Sequence, residues 1–369
     1  MYAYIVRRLL LIVPTLLGIM VINFAVVQVL PGGPVEQWIA QLTGEAVDVT
    51  ARVGGEAGSE VNAGKRTQVT GKQAGAPSRY RGAQGLPPDL IKDIERQFGL
   101  DKPAFERFTL MIGNYLRFDF GDSFFQDKSV AQLVIDKLPV SISLGLWTTL
   151  LVYMISIPLG IRKAVKDGSR FDVWTSGVVI FGNAVPSFLF AILLIMLFAR
   201  GGLFPFFPLR GLTSPDFETL SWFGQIADYF WHMALPLLSM VIGGFAGLTM
   251  LTKNSFLEEI NKQYVITARA KGLGEWAVVI RHVFKNALIP IITLVGPLVP
   301  NLMTGSIFIE STFAIPGLGR HFVSSIFDRD YPVILGMFML VAVLFGLTYV
   351  VSDILYTWAD PRVRLTRRN

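Results

Sequence analysis

The 369-residue chain has a composition typical of integral membrane proteins. Hydrophobic residues make up 52% of it and charged residues only 16%, with a mean hydropathy of +0.51, whereas soluble domains are about one-quarter charged. The absence of cysteine excludes disulfides, thiolate metal ligands and a cysteine nucleophile. The net charge of +6 could suggest a nucleic-acid partner, but the positions of the cations point elsewhere.

Six apolar runs are each about as long as the 20 residues that a helix needs to cross a bilayer. We place these spans at Leu9–Leu30, Pro139–Ile161, Val173–Ala199, Trp231–Leu251, Ile289–Ile309 and Val333–Trp358. The first run exceeds the roughly 7–15 residues of a signal-peptide core, so residues 1–30 are predicted to be a retained anchor. The fold class is therefore an all-α integral membrane protein with six transmembrane helices.

The distribution of Lys and Arg predicts the orientation of these helices. With the N-terminus inside, the four cytoplasmic segments carry 16 cations and the two short outside loops carry 4. Cationic loops are retained in the cytoplasm, and long loops are excluded from such a count. We therefore expect both termini, including the tail at residues 359–369, to be cytoplasmic. The excess charge is mainly topological, and nucleic acid is a poor candidate partner.

The segment 31–138, between the first two spans, is predicted to be a large extracytoplasmic insertion. Residues 41–85 are rich in Gly, Ala, Ser and Thr and contain few large apolar residues, so this part is expected to be flexible. The rest has helical periodicity. The apolar positions of its two stripes are Leu90, Ile91, Ile94 and Phe98, then Phe105, Phe108, Met111, Ile112 and Tyr115.

Residues 139–358 are interpreted as the transmembrane core, and its few polar side chains are candidates for lining a pathway. These are Asn183, Asn301, Thr304 and Ser306. Hydrogen bonding between helices explains them equally well. Asp353, near the end of the last span, is expected to form a local pair or cap, since unpaired charge in a bilayer is costly.

Catalytic and cofactor motifs are nearly absent from the sequence. His232, His282 and His321 are isolated, and none has the spacing of a zinc site. Gly64-Lys65-Arg66 lacks the Ser or Thr of a phosphate-binding loop. Gly272-Leu-Gly274-Glu-Trp-Ala277 matches a dinucleotide pattern, but it follows a helical stretch and not a strand. We therefore expect no catalytic residue, no metal and no cofactor in this chain.

The loop between the fourth and fifth spans, residues 253–288, is the most informative segment. Ser255 and Glu258 form a capping-box pattern that predicts a helix from Ser255 to Ala270. Gly272 and Gly274 are predicted to form a turn. An amphipathic helix on the membrane surface should follow. Its apolar positions are Trp276, Val279, Ile280, Val283, Phe284, Ala287 and Leu288, and its polar ones are Arg281, His282 and Lys285.

This loop resembles the cytoplasmic signature loop of ABC importer permeases of the dipeptide and oligopeptide family. The resemblance is carried by Tyr264-Val-Ile-Thr-Ala-Arg-Ala-Lys-Gly-Leu273 and by Arg281-His-Val-Phe-Lys-Asn-Ala-Leu-Ile-Pro290. The generic pattern E-A-A-x-x-x-G begins with Glu, whereas this chain has Ile266 there, a departure similar to the peptide-permease branch. Further family-like pieces include Asp119-Phe-Gly-Asp-Ser123, Ile309-Glu-Ser-Thr-Phe313, Pro316-Gly-Leu-Gly319 and Arg329-Asp-Tyr-Pro332. The insertion at 41–85 is similar to that of microcin C uptake permeases.

The resemblance implies a permease subunit that takes up oligopeptides or microcin C-like peptides across the bacterial inner membrane by alternating access. Its implied partners are a second homologous permease, two cytosolic ATPases that bind ATP and Mg, and a periplasmic peptide-binding protein. The residues implied to couple to an ATPase are Tyr264, Thr267, Ala268, Arg269, Ala270, Lys271 and Gly272. An ATP-independent secondary transporter or channel is the alternative, and an assembly or receptor subunit is a third class.

Overall fold

The computed structural model describes residues 2–29, 89, 92, 101–292, 294 and 306–359. Within those ranges every regular element is helical, as predicted. The α-helices are α1 (Tyr2–Val29), α2 (Ala104–Tyr115), α3 (Val130–Val165), α4 (Arg170–Ala184), α5 (Ser187–Phe198), α6 (Trp222–Ile260), α7 (Gln263–Ala270), α8 (Glu275–Val278), α9 (Phe284–Ala287), α10 (Ile289–Ile292), α11 (Ile307–Thr312), α12 (Leu318–Asp328) and α13 (Tyr331–Ala359). A π-helical turn, Val279–Val283, joins α8 to α9, and Phe217–Thr219 forms a 3-10 turn before α6.

Four of the helices are long and apolar enough to cross a membrane: α1, α3, α6 and α13. They correspond to the first, second, fourth and sixth predicted spans. Two of them extend well beyond the predicted bounds. Helix α3 begins at Val130 and not at Pro139, because the Ser129 side chain accepts a hydrogen bond from the Gln132 N–H and caps the helix earlier.

The third predicted span, Val173–Ala199, is not one continuous helix. It consists of α4 and α5, which meet at an angle of 94°. The break lies at Val185 and Pro186, where Val185 is extended with φ −91° and ψ 119°. Proline disfavours the helical region for the preceding residue and lacks an N–H, and here Val185 adopts the extended conformation that ends α4. The bent pair is either a broken span or a re-entrant segment.

Three sequence predictions lie mostly or wholly outside the described residues. Of the fifth span, Ile289–Ile309, only the ends are described, as α10 and the start of α11. The insertion at 41–85 and the helical stripe from Leu90 to Phe98 also lie outside them.

Helices α3 and α6 form the centre of the fold and approach each other closely. A Cβ atom added to Gly160 would lie 2.5 Å from Cβ of Thr252 and 2.8 Å from the carbonyl oxygen of Thr249. The Ser156 hydroxyl of α3 also donates to the Phe245 carbonyl of α6, at 3.0 Å. Small residues of this kind allow helices to pack closely in membranes. Helices α4 and α5 pack on α6 as well.

Helix α2 packs against α1 with the second predicted stripe. The Phe108 ring lies 5.1 Å from that of Phe24, and Met111 and Ile112 pack on a core around Met20 and Tyr115. Phe105, the first member of that stripe, is 78% exposed. The amphipathic pattern is therefore confirmed from Phe108 onward, and Phe105 is the exception.

The first and last helices are joined near their ends by an ion pair. Asp353 of α13 lies 2.8 Å from the guanidinium of Arg8 and accepts a hydrogen bond from the Tyr4 hydroxyl at 2.8 Å. The sequence predicted a local pair or cap for Asp353, whereas its partners lie about 350 residues away in α1. The start of α1 and the end of α13 therefore lie on the same side of the molecule.

Two buried carboxyl groups, those of Glu310 and Asp330, connect the family-like motifs near the start of α3. We call this region the far end, because it lies at the opposite end of α3 from the loop at 253–288. Glu310 accepts hydrogen bonds from the Ser141 hydroxyl at 2.9 Å and from the Arg320 N–H at 2.9 Å. Asp330 accepts from the Ser123 hydroxyl and, at 3.1 Å, from the Phe124 N–H. Burial raises the pKa of Asp330, although these donors act in the opposite direction.

Candidate functional site

The loop at residues 253–288 begins differently from the prediction. Ser255 does not cap a new helix, because α6 continues through it to Ile260. Ser255, Phe256 and Ile260 are buried, and the last two pack against Ile161 at the end of α3. Because these positions pack on α3, the helix continues past the residues of the capping-box pattern. The helix predicted from Ser255 to Ala270 is in fact two, the end of α6 and the separate α7.

Helix α7 has one face buried on the protein and one face exposed. Val265 and Ala268, three residues apart, are buried in the cluster formed by the ends of α3 and α6. Thr267, Ala270 and Lys271 are exposed. Of the residues assigned to coupling, Ala268 therefore anchors the helix, whereas these three can contact a partner.

The end of α7 is fixed by a glycine, as predicted. Gly272 has φ +84°, the left-handed region that costs other residues about 1–2 kcal/mol. Its N–H donates to the Arg269 carbonyl at 2.9 Å, and the Leu273 N–H donates to the Ala268 carbonyl at 3.4 Å. This pair of bonds is the Schellman motif, which satisfies the last carbonyls of a helix. Gly274 then precedes α8 as its N-cap.

The second helix of the loop is confirmed in outline, but its buried face is narrower than predicted. Val279, Val283 and Ala287 are buried in the same cluster as Val265. Trp276 and Ile280 were assigned to this apolar face, yet they are 59% and 64% exposed. The π-helical turn at Val279–Val283 has more residues per turn than an α-helix, which moves residues off a regular stripe.

Tyr264 connects α7 to both neighbouring helices. Its hydroxyl donates to the Glu259 carboxylate at 2.6 Å and accepts from the Asn286 amide at 3.2 Å. Burial raises the pKa of the Tyr264 phenol, and the hydrogen bond to Glu259 raises it further. A separate hydrogen bond, from the Lys262 ammonium group to Glu259, raises the pKa of Lys262. Tyr264 thus holds the three helices of the loop in one arrangement.

The two cations assigned to coupling have different surroundings. Arg269 forms a bidentate ion pair with Glu275 of α8, at 2.8 and 3.1 Å. Lys271, two residues later, is exposed. The sequence interpretation gave both cations to a partner's carboxylates, whereas Arg269 already has a carboxylate within the loop. This pair braces the turn around Gly272.

Two of the four pathway candidates come together at the break between α4 and α5. Asn183 and Ser306 line one cavity of about 280 Å³, together with Pro186, Ser187 and Gly243. Asn301 and Thr304 lie outside the described residues. The polar groups at this break can offer hydrogen bonds to a solute.

The three histidines have separate environments. His232 is hydrogen-bonded to the Asp228 carbonyl at 2.9 Å, His282 is exposed, and His321 is buried. The part of the chain that the structure describes contains no group of three His, Cys, Asp or Glu side chains able to hold a metal.

Sequence reasoning missed a charged cluster beside the loop. Lys163, counted only as a topological cation, is fully buried and lies 2.9 Å from Asp172. Lys253 lies 2.8 Å from Asp172 and 2.8 Å from Asp167. The available signal was an Asp in the first turn of α4, where a carboxylate is favoured, close in sequence to the cations Arg162, Lys163 and Lys166.

The chain matches a known protein family and several named relatives. Residues 156–365 match the family described as the binding-protein-dependent transport system inner membrane component. The chain is 53% identical to a peptidoglycan transport system permease protein, YejB, of Agrobacterium fabrum, with 100% of both chains covered. It is 50% identical to the inner membrane ABC transporter permease protein YejB of Escherichia coli, over 98% of this chain and 99% of that one.

A more distant relative is the oligopeptide transport system permease protein AppB of Bacillus subtilis, at 33% identity over 98% of this chain and 99% of that one. Apolar helices and these relatives define a multi-pass inner-membrane transport subunit. The chain belongs to the family of binding-protein-dependent transport system inner membrane components, the permease subunits of ABC importers. Such subunits are not themselves enzymes, and the family works with a partner permease, ATPases and a binding protein. The resemblance of the chain to ABC importer permeases is therefore confirmed.

Proposed function

We propose that this chain is the permease of a peptide importer and moves its solute by alternating access driven by partner ATPases. The observation that carries the proposal is the loop at 253–288, which is packed on the ends of α3 and α6 yet leaves Thr267, Ala270 and Lys271 exposed. A loop that only connected two spans would not need this anchored structure. The peptide permeases among the relatives support the choice of solute.

Six spans with both termini in the cytoplasm form the topology that we propose. The Arg8–Asp353 pair supports it, because α1 starts and α13 ends on the same side, which requires an even number of crossings. Four long helices and the bent pair α4–α5 supply up to five. The run Ile289–Ile309 would supply the sixth. The domain division is then an anchor at 1–30, a periplasmic insertion at 31–138, a core at 139–358 and a tail at 359–369.

Coupling to the ATPase is assigned to the seven residues of the signature loop, with different roles. Thr267, Ala270, Lys271 and Gly272 would contact a groove of the ATPase, since they are exposed. Tyr264, Ala268 and Arg269 would position that surface through their contacts within the protein. Closure of the ATPases changes the position of this contact, and the ends of α3 and α6 would transmit the movement. A coupling contact must differ between the two states to have this effect.

The proposed complex contains a second, homologous permease, two cytosolic ATPases and a periplasmic peptide-binding protein. ATP and Mg would be bound by the ATPases and not by this chain. Asn183, Asn301, Thr304 and Ser306 are proposed to line the pathway, and the cavity shared by Asn183 and Ser306 supports two of them.

The solute is proposed to be an oligopeptide, with microcin C-like peptides as the particular branch. The relative named for peptidoglycan transport is consistent with a peptide solute, because peptidoglycan fragments carry short peptides. A shared peptide backbone would explain how related permeases serve these solutes, since backbone recognition does not depend on side chains.

Uptake by the reconstituted complex tests the proposal. Proteoliposomes containing this permease, its partner permease and the ATPases would be loaded with ATP and Mg and supplied with the binding protein. Uptake of a labelled oligopeptide should require hydrolysable ATP and the binding protein. Equal uptake without ATP would overturn the proposal in favour of a channel or secondary transporter. Competition by microcin C, a cell-wall peptide fragment and an unrelated oligopeptide would rank the solutes.

A further inference from the structure

Four charged side chains from two stretches of the chain meet beside the loop. We call them the charge cluster: Lys163 at the end of α3, Asp167 in the following turn, Asp172 in the first turn of α4, and Lys253 in α6. Their formal charges sum to zero. The cluster lies two turns before the end of α6, from which α7 follows after two residues.

Lys163 is the most buried member, with a side-chain exposure of 0%. Its ammonium group donates to the Asp172 carbonyl oxygen at 2.9 Å, to the Thr175 hydroxyl at 2.9 Å and to the Ser176 hydroxyl at 2.7 Å. All three donors of the ammonium group are therefore used by the first turns of α4. A cation that only sets the membrane orientation needs no specific contacts, whereas Lys163 is buried at the junction of α3 and α4.

Asp172 connects this junction to α6. One carboxylate oxygen lies 2.9 Å from Lys163, and the other accepts hydrogen bonds from Lys253 at 2.8 Å and from the Gly168 N–H at 3.2 Å. Lys253 reaches back to Asp167 in the same turn. The cluster thus joins the end of α3, the start of α4 and the loop-proximal end of α6 through one carboxylate.

The positions of these elements indicate what the junction can do. Towards the loop, Phe256 and Ile260 of α6 pack with Val265 of α7. Away from it, α4 remains in contact with α6 up to Gly182, where an added Cβ would lie 3.1 Å from the Phe245 ring. Helix α4 then ends at the break that bears Asn183. The cluster therefore lies between the candidate docking surface and the candidate pathway.

We propose that Lys163, Asp172 and Lys253 are positioning residues that tie α4 to α6, so that displacement of α7 moves the α4–α5 break. This inference rests on the proposed coupling role of α7. Buried ion pairs contribute little net stability compared with apolar replacements, so such a pair needs a reason other than stability. A fixed orientation between two helices that must move together supplies one.

A neutral double variant separates this role from a merely structural one. Asp172→Asn alone leaves the buried Lys163 ammonium without a carboxylate, and Lys163→Met alone leaves Asp172 with Lys253 as its one remaining ammonium partner, so that the cluster is no longer neutral. Both single variants are expected to reduce assembly of the complex. The double variant Lys163→Met with Asp172→Asn removes one charge of each sign and leaves Lys253 paired with Asp167. Lys166→Met is the matched control, since it removes an exposed cation from the same segment.

The measurements are the amount of assembled complex, the rate of ATP hydrolysis and the uptake of a labelled oligopeptide in proteoliposomes. We expect the double variant to recover assembly compared with the single variants, while peptide taken up per ATP hydrolysed falls about tenfold, a typical coupling effect. Lys166→Met should keep the wild-type ratio.

Three results would overturn the inference. They are a wild-type ratio in the double variant, an equal loss in Lys166→Met, and failure of the double variant to assemble, which would make the cluster a folding requirement only. Gly272→Val, measured in parallel, distinguishes the two proposals. If it uncouples uptake while the double variant does not, the coupling loop stands and the charge cluster fails; if neither uncouples, both fail.

Discussion

Buried carboxyl groups lie near both ends of α3, but the groups that bind them differ. At the far end, Glu310 is bound by the Ser141 hydroxyl and by main-chain N–H groups of Ser306 and Arg320. At the loop end, Asp172 is bound mainly by the ammonium groups of Lys163 and Lys253. Main-chain donors are fixed by the backbone, whereas lysine donors belong to long side chains on separate helices.

This difference indicates different mechanical properties. The far end depends on exact backbone positions, and a Cβ atom added to Gly317 would lie 2.5 Å from the Glu310 carboxyl group. The loop end joins α3, α4 and α6 through side-chain ion pairs, so these helix ends can move together relative to the far end. We therefore interpret the far end as a rigid staple and the loop end as the part that moves with a partner.

The largest effect is expected from Glu310→Leu, which tests the rigid staple. The substitution leaves the Ser141 hydroxyl and at least two main-chain N–H groups without their acceptor, at about 1–3 kcal/mol each. The thermal unfolding midpoint of the detergent-solubilised complex should fall sharply. Glu310→Gln is the control, because it keeps one acceptor oxygen and should lose less. An unchanged midpoint for Glu310→Leu would contradict the distinction between the two ends.

An intermediate effect is expected from Gly272→Val, which sharpens the description of the loop end. No atom lies within 4 Å of the added Cβ, so the cost is backbone strain of about 1–2 kcal/mol at φ +84°. We expect peptide uptake to be lost while the complex still assembles. Asn tolerates the left-handed region, so Gly272→Asn should keep much of the uptake. An equal loss of uptake in both variants would indicate that uptake requires the absence of a side chain at Gly272 and not the left-handed backbone of the turn.

A smaller effect on stability is expected from reversing the Arg269–Glu275 pair, since exposed ion pairs contribute less than about 1 kcal/mol. Arg269→Glu should reduce uptake by placing two carboxylates at the turn. The exchange Arg269→Glu with Glu275→Arg should restore it if Arg269 acts within the loop.

Lys271→Glu is the comparison for that exchange, because Lys271 is exposed and proposed to contact the ATPase. We expect uptake and ATPase stimulation to fall together in Lys271→Glu, with no effect on the thermal unfolding midpoint. Failure of the Arg269 and Glu275 exchange to restore uptake would instead assign Arg269 to the partner as well. Normal uptake in Lys271→Glu would remove the electrostatic part of the docking proposal.

Predictions from the local sequence were correct where the structure depends on a single helix. Hydropathy predicted α1, α3, α6 and α13, and Gly272 was predicted as the end of a helix from its residue type alone. They failed where a neighbouring helix intervenes. The capping box at Ser255 was overridden by packing of α6 on α3, and the apolar run Val173–Ala199 predicted one span where α4 and α5 meet at 94°.

The sequence by itself determined that this is a helical membrane protein of the ABC importer permease family, because hydropathy and a continuous signature motif are properties of neighbouring residues. Only the tertiary structure decided which face of α7 is free, that Arg269 is paired with Glu275, and that Lys253 meets Asp172 across 81 residues. Such contacts depend on how the helices pack together. The distribution of charge along the chain predicts the orientation of the helices in the membrane, whereas the partner of a buried charge is decided by tertiary packing.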